Sequence, residues 1–360
     1  MASQSNELLS ALISLCVIAF MKVSVDGAPK VQCYFIFGDS LADSGNNNPL
    51  RTFAKANYPP YGIDFPNKTP TGRFCNGLTT ADIIGQRLGF TNLIPPFTLA
   101  HGSTILQGVN YASASAGIRE ETGRHLGQNI CLDGQLNNHR AIVSRITALL
   151  KTKAAAKAHL RKCIYYVGLG SNDYINNYFL PIYPTSKEFN PDEYADALID
   201  QYANQLVSLY LSGARKVAVF GVGLIGCTPR AISTSKGGGC VNAINNAAQI
   251  FNRELKSLVD RLNRKFRNAR FIFVDIFEMS SGDPRSFGFK VLNDGCCPVN
   301  KLGLCGHHVN SCPNRKEYVF WDSFHPTEAM NQITANRSFT ALNPSDAYPY
   351  DISHLAQLTL

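Results

Sequence analysis

The chain has 360 residues, of which 45% are hydrophobic and 17% charged, with a formal net charge of +8. That composition excludes a disordered chain. Its Lys and Arg residues are scattered, with no basic stripe interleaved with aromatics, which excludes nucleic-acid binding.

Residues 1–27 read as a secretory signal. Leu8 to Phe20 is a run of 13 residues free of charge, too short to span a bilayer comfortably. Val25 and Gly27 are small residues suited to a cut after Gly27; an uncleaved signal anchor is the alternative. Cleavage removes Glu7, Lys22 and Asp26, a net −1, and so leaves +9. Residues 28–360 are expected to form one domain, secreted and monomeric. No later apolar run is long enough to cross a membrane, so no stable insertion is expected after cleavage. Cys33 and Cys163 sit in strand-like runs and read as buried free thiols. Cys227, Cys240, Cys296, Cys297, Cys305 and Cys312 fall in Gly/Pro/Asn-rich loops and read as disulfides, whose pairing spacing alone does not settle. Asn67-Lys68-Thr69 and Asn336-Arg337-Ser338 are glycosylation sequons, with Pro70 weakening the first.

Five short apolar runs follow in order: Val31–Phe37, Gly108–Ala112, Cys163–Gly168, Lys216–Phe220 and Phe271–Ile276. They are continuously apolar, as strands buried on both faces are, and most are closed by turn-forming residues. Helical periodicity fills the gaps at 79–88, 135–155, 194–211 and 241–266. Alternating strands and helices predict an α/β fold, a three-layer α/β/α sandwich around a parallel sheet. Two irregular insertions, 49–74 and 279–313, are too long for simple connections and are expected to roof or flank a site.

Three stretches carry chemistry. The first run ends in Gly38-Asp39-Ser40, delivering a hydroxyl to the C-terminal end of a strand, where open α/β sheets bind ligands. The third ends in Gly170-Ser171-Asn172-Asp173, where Asn172 offers a side-chain donor beside flexible glycines, as oxyanion stabilisation requires. Near the end stands Trp321-Asp322-Ser323-Phe324-His325-Pro326, a carboxylate and an imidazole at the spacing of one helical turn. This is the orienter and base of a Ser-His-Asp triad. Alone, Gly-Asp-Ser reads as a helix cap and Asn172 as a turn former; together they point to one hydrolytic centre.

In this order the blocks resemble the SGNH hydrolases and, more narrowly, the plant GDSL esterases/lipases. The resemblance runs from Tyr34 to about Leu342 and includes Gly38-Asp39-Ser40-Leu41, Asn110-Tyr111-Ala112-Ser113, Gly170-Ser171-Asn172-Asp173-Tyr174 and Gly226-Cys227-Thr228-Pro229. It implies a flavodoxin-like five-stranded parallel sheet of order 2-1-3-4-5. It also implies a serine esterase or lipase needing no cofactor or metal, acting on small-molecule or lipid esters in the cell wall or apoplast. Ser40 is then the nucleophile, His325 the base and Asp322 its orienter. The oxyanion hole comprises the N–H groups of Ser40 and Ser115 and the amide of Asn172. At Ser115 the family usually has Gly; the nearest glycine here is Gly117. The same residues would serve an acyltransferase, and a catalytically silent wall-binding protein would keep the fold.

Several decoys fail on context. The Gly-x-Ser-x-Gly elbow of α/β-hydrolases is absent around Ser40. Asp351-Ile352-Ser353-His354 repeats the acid–imidazole spacing without the proline. Gly221 to Gly226 matches a dinucleotide fingerprint but leads into Cys-Thr-Pro, and reads as a tight loop. His307 and His308 among four cysteines imitate a zinc site, for which disulfides are the better reading in a secreted chain.

Overall fold

The structure is a computed structural model and describes residues 30–235 and 237–360; the signal reading for 1–27 falls outside them. In chain order the main elements are β1 (Tyr34–Gly38), α1 (Thr80–Arg87), α2 (Leu132–Leu149), α3 (Lys153–Leu160), β2 (Ile164–Gly168), α4 (Pro191–Leu211), β3 (Lys216–Phe220), α5 (Asn242–Lys265), β4 (Arg270–Val274), β5 (Val291–Gly295), β6 (Tyr318–Phe320), α6 (Glu328–Phe339), β7 (Ala347–Tyr348) and α7 (Ile352–Gln357). The apolar runs do become strands, with one exception.

The main sheet has the order β1-β2-β3-β4-β7. The first four strands are parallel and in step, from Tyr34↔Ile164 through Ile164↔Lys216 to Lys216↔Arg270. The fifth place in the ladder differs from expectation, because β7 pairs antiparallel with β4. The run at 108–112 instead lies along the outer edge of β1 and makes an isolated parallel bridge, Ile36↔Asn110. Hydrogen bonds from Ile36 N to Val109 O, Tyr111 N to Ile36 O and Ser113 N to Gly38 O hold it there. Its other edge is occupied by Pro95–Phe97 through Asn110 N to Pro95 O and Phe97 N to Asn110 O. The chain passes this close only because residue 108 is glycine: a Cβ there would stand 1.8 Å from Tyr34 O. Counting this edge segment second restores the order 2-1-3-4-5 for the parallel part.

Side chains alternate between the faces. Phe35, Phe37, Tyr165, Val167, Val217, Val219, Phe271 and Phe273 join one core with α2, α4 and α5, while Tyr34, Ile36, Tyr166, Phe220, Ile272 and Val274 join another with α1, α6 and α7. Three layers result, and the four parallel strands are covered on both faces, which is why their runs carry no polar alternation. Helix starts follow their capping chemistry. Thr79 and Asp82 form a capping box on α1, and Asn190 and Glu193 form one on α4 with Pro191 at the first position. The expected helix at 135–155 is two, broken where Lys151 takes a left-handed φ of 66°.

Among the described residues, four disulfides join Cys33–Cys163, Cys227–Cys240, Cys296–Cys312 and Cys297–Cys305. The first corrects the reading of Cys33 and Cys163 as free thiols. Each directly precedes a residue of the Tyr34↔Ile164 pair, so parallel pairing brings them side by side. Among the described residues, the buried free thiols are instead Cys75 and Cys131. All four cysteines around His307 and His308 are bridged, and the His307 ring stacks on Tyr58.

A third core cluster gathers residues of both irregular insertions, among them Tyr61, Phe74, Cys297 and Cys305, together with Trp321. The first insertion is anchored to α1 by Arg73, whose Nε and Nη2 bond both Asp82 oxygens at 2.7 and 2.8 Å, with both side chains buried. Burial alone would raise the Asp82 pKa; the guanidinium and the Thr79 donors bring it below its ordinary value. Replacing Arg73 by Met should strand that charge and cost roughly 3–5 kcal/mol, read as a lower urea midpoint with an unchanged slope.

Candidate active site

β1 ends at Gly38, and Gln135 of α2 grips that end. Gly38 N donates to Gln135 Oε1 at 3.0 Å and Gln135 Nε2 donates to Gly38 O at 2.8 Å. The chain then turns: Ala42 N and Asp43 N donate to Asp39 O, and Leu41 N donates to Asp39 Oδ1 at 2.9 Å. Ser40 sits on this turn, half-buried. The Asp39 side chain therefore shapes the turn.

The next residues tie the turn to the edge segment. Asp43, fully buried, accepts from Gly45 N, Asn46 N and Ala114 N. Asn46 Nδ2 donates to Asn110 O and Ala112 O, Asn47 Nδ2 to Ala54 O and Ala114 O, and Asn110 Nδ2 to Ala42 O. Residues 110–114 are thereby held against the Ser40 turn. Sequence reasoning missed Asp43, Asn46, Asn47 and Gln135; the run Gly45-Asn46-Asn47-Asn48 directly after the Ser40 turn was the available signal.

Ser115 has φ of 63°, the left-handed region that favours glycine. Its polar side chain is accommodated by Asn129, whose Nδ2 donates to Ser115 O and Ser115 Oγ at 3.1 and 3.2 Å. Among the described residues, the backbone N–H groups of Ser40 and Ser115 have no hydrogen-bond partner. Gly117 is glycine for a different reason. A Cβ there would lie 2.5 Å from Asp173 Oδ1 and 2.6 Å from Thr122. Asp173 accepts from Ile118 N, Arg119 N and Thr122 Oγ1, and so fixes the segment that follows Ser115.

Asn172 lies on the helical turn Ser171–Asp173 just after β2. Its Nδ2 donates to Ala116 O at 3.0 Å, and its Oδ1 accepts from Asn176 Nδ2 at 2.6 Å. Those partners fix the amide orientation and leave one Nδ2 hydrogen unspent.

From the far end of the chain, β6 leads into Trp321, fully buried, and a tight turn in which Trp321 N donates to His325 O. Asp322 Oδ1 accepts from Phe324 N and His325 N, both at 2.8 Å. His325 Nδ1 lies 2.9 and 2.8 Å from the two Asp322 oxygens, so it carries the proton. Nε2 is left to accept from Ser40 Oγ at 2.8 Å. The His325 ring packs on Phe74, with ring centroids 4.9 Å apart. Hydroxyl, imidazole and carboxylate thus form one hydrogen-bonded chain. A further residue, Tyr61, joins it by donating to Asp322 Oδ2 at 2.7 Å.

The other expected residues fall elsewhere. Asp351 and His354 reproduce the acid–imidazole pair at 2.7 Å at the start of α7, with an exposed imidazole. Asn67 is exposed, whereas the Asn336 amide in α6 is engaged by Arg87 and Gln332.

The GDSL-like lipase/acylhydrolase family model matches residues 34–338. The chain belongs to this family. A GDSL esterase/lipase of Arabidopsis thaliana is 51% identical over 355 residues, covering 96% of this chain and 97% of its own. Two others from that organism are each 48% identical, covering 96–97% of this chain and 98–99% of theirs. As a member of the GDSL family the chain is an ester hydrolase in class.

Burial raises the carboxyls of Asp39, Asp43 and Asp173 from 3.8 to about 6, against the hydrogen bonds they accept. Their folded forms hold protons more tightly than the unfolded chain does. Stability from these groups is therefore complete below the unfolded value of 3.8 and is lost as pH rises through about 6. Asp39→Asn removes one such group. Relative to that variant, the wild type should gain up to roughly 3 kcal/mol between pH 7 and pH 4, measured by denaturant unfolding at each pH.

Proposed function

We propose that this GDSL-family chain is a secreted serine esterase or lipase whose reaction runs through an acyl-enzyme on Ser40. The observation that carries the reading is the 2.8 Å contact between Ser40 Oγ and His325 Nε2, with Asp322 on the opposite ring nitrogen. His325 takes the Ser40 proton as Oγ bonds to the ester carbonyl carbon. The developing oxyanion is received by the N–H groups of Ser40 and Ser115 and by the spare hydrogen of Asn172. Collapse breaks the ester C–O bond, and His325 returns the proton to the departing alcohol. Water, deprotonated by His325, then releases the acid and restores Ser40. Secretion is supported by the four disulfides. Asn67 is the accessible sequon. Among the described residues, no helix is long and apolar enough to cross a membrane.

The acyl partner is read from a cavity of about 320 Å³ beside the site. Its walls include the sequence neighbours of Ser40 (Asp39 and Leu41), of Asn172 (Ser171) and of His325 (Phe324 and Pro326). Tyr166 and Phe220 of the sheet and Met330 and Thr334 of α6 line it further on. Such a pocket favours an apolar acyl chain over a sugar. Taking a methylene as about the 30 Å³ of a liquid water, it holds roughly ten carbons.

Two experiments test this reading. A fluorophosphonate should label the folded protein at Ser40 and fail on Ser40→Ala; an unlabelled wild type would mark a catalytically silent scaffold. Asn172→Ala should lower kcat by roughly 10²–10³ without blocking labelling. In an ester series, kcat/KM should climb up to about fourfold per added carbon and level off near ten. Thr334→Trp, one turn beyond Met330 on α6, should bring that plateau to shorter chains.

A further inference from the structure

We propose that Tyr61, from the irregular insertion at 49–74, is a positioning residue that acts on the Ser40 centre through Asp322. The inference rests on the esterase reading above and adds a fourth member to its proton-transfer chain. Tyr61 is 1% exposed. Its hydroxyl donates to Asp322 Oδ2 at 2.7 Å and accepts from Cys305 N at 3.1 Å. A backbone N–H can only donate and a carboxylate can only accept, so the direction of the hydroxyl hydrogen is unambiguous.

The other donors to Asp322 are local: Phe324 N, His325 N and the His325 ring itself. The two backbone donors both fall on Oδ1, leaving Oδ2 to the imidazole and to Tyr61. His325 Nδ1 is almost equidistant from the two oxygens, so its own bond does little to fix rotation of the carboxylate. Tyr61 adds the constraint on the Oδ2 side, from 261 residues away. It is held in turn by Cys305, which a disulfide ties to Cys297, and its ring packs edge-on against Tyr58 and Phe74. Phe74 also lies against the His325 ring. Both insertions thus converge on the acid rather than only roofing the site. Burial, with the Asp322 charge beside it, holds the Tyr61 phenol protonated well above its ordinary range, so it remains a donor at any working pH.

A donor on Oδ2 draws charge away from the imidazole and keeps the carboxylate in register with Nδ1. Without it, the protonated imidazole is held more strongly and Oδ2 keeps the imidazole as its one remaining donor, so the carboxylate is pinned only through Oδ1. Tyr61→Phe keeps the ring and removes only the donor. Counting active sites by fluorophosphonate titration, kcat per site should fall roughly tenfold with KM within about twofold, and the acidic limb of kcat/KM should move to higher pH. A packing role alone would lower the number of titratable sites and leave the limb where it was. Wild-type kcat per site with a superimposable limb in Tyr61→Phe would overturn the proposal. Should that variant yield no folded protein, 3-fluorotyrosine at position 61, a stronger donor of nearly the same size, decides the matter. It should move the limb to lower pH, and an unmoved limb would be equally fatal. Failure of the wild type itself to react with the fluorophosphonate would instead remove the esterase reading on which this rests.

Discussion

A carboxylate can be buried only where donors surround it, and this site is assembled around that requirement. Asp43, Asp173 and Asp322 are all fully buried. None finds its donors within a regular helix or strand. Asp43 collects amides from its own turn and from Ala114, drawing the edge segment onto the Ser40 turn. Asp173 collects Ile118, Arg119 and Thr122 and pins the same segment from its other end. Asp322 collects two local amides, the imidazole and Tyr61. Left with an unpaired oxygen, any of the three would cost several kcal/mol, so the loops that carry Ser115, Asn172 and His325 have little freedom to wander. Rigidity in the loops comes from buried charge, while the sheet supplies only the ends from which they spring.

The sheet was the most legible part. Runs such as Lys216–Phe220 and Cys163–Gly168 announce themselves because strands covered on both faces need apolar residues throughout. Asp322 and His325 were legible too, since both belong to one turn and their spacing is local. Other features were hidden for identifiable reasons. The strand Ala347–Tyr348 is two residues long and carries no periodicity. Cys33–Cys163 depends on which strands are neighbours, which a single strand does not encode. Tyr61, Gln135 and Asn129 act across 261, 97 and 14 residues respectively, through single polar atoms on otherwise ordinary segments. Nothing in Asn57-Tyr58-Pro59-Pro60-Tyr61 sets the second tyrosine apart from the first.

Asp351 and His354 show how little a local motif settles by itself. They form the same acid–imidazole contact, at 2.7 Å, with the same spacing. The turn chemistry is common to both, because an acid at the start of a turn accepts the amide three residues on. The difference lies in what faces the outer ring nitrogen. His325 meets Ser40 in a site closed by Phe74, whereas the His354 side chain is 69% exposed. Placement within the fold turns a recurrent cap into a candidate centre.

The separation of Ser40 from His325, 285 residues, also sets a schedule. A ribosome adding about 5–20 residues per second delivers the hydroxyl tens of seconds at most before the imidazole that faces it. Nearly the whole chain must emerge before the two can meet, and the sheet edge is completed later still, by Ala347 and Tyr348. Throughout synthesis up to that point, the nascent polypeptide carries the Ser40 hydroxyl without the imidazole that will face it.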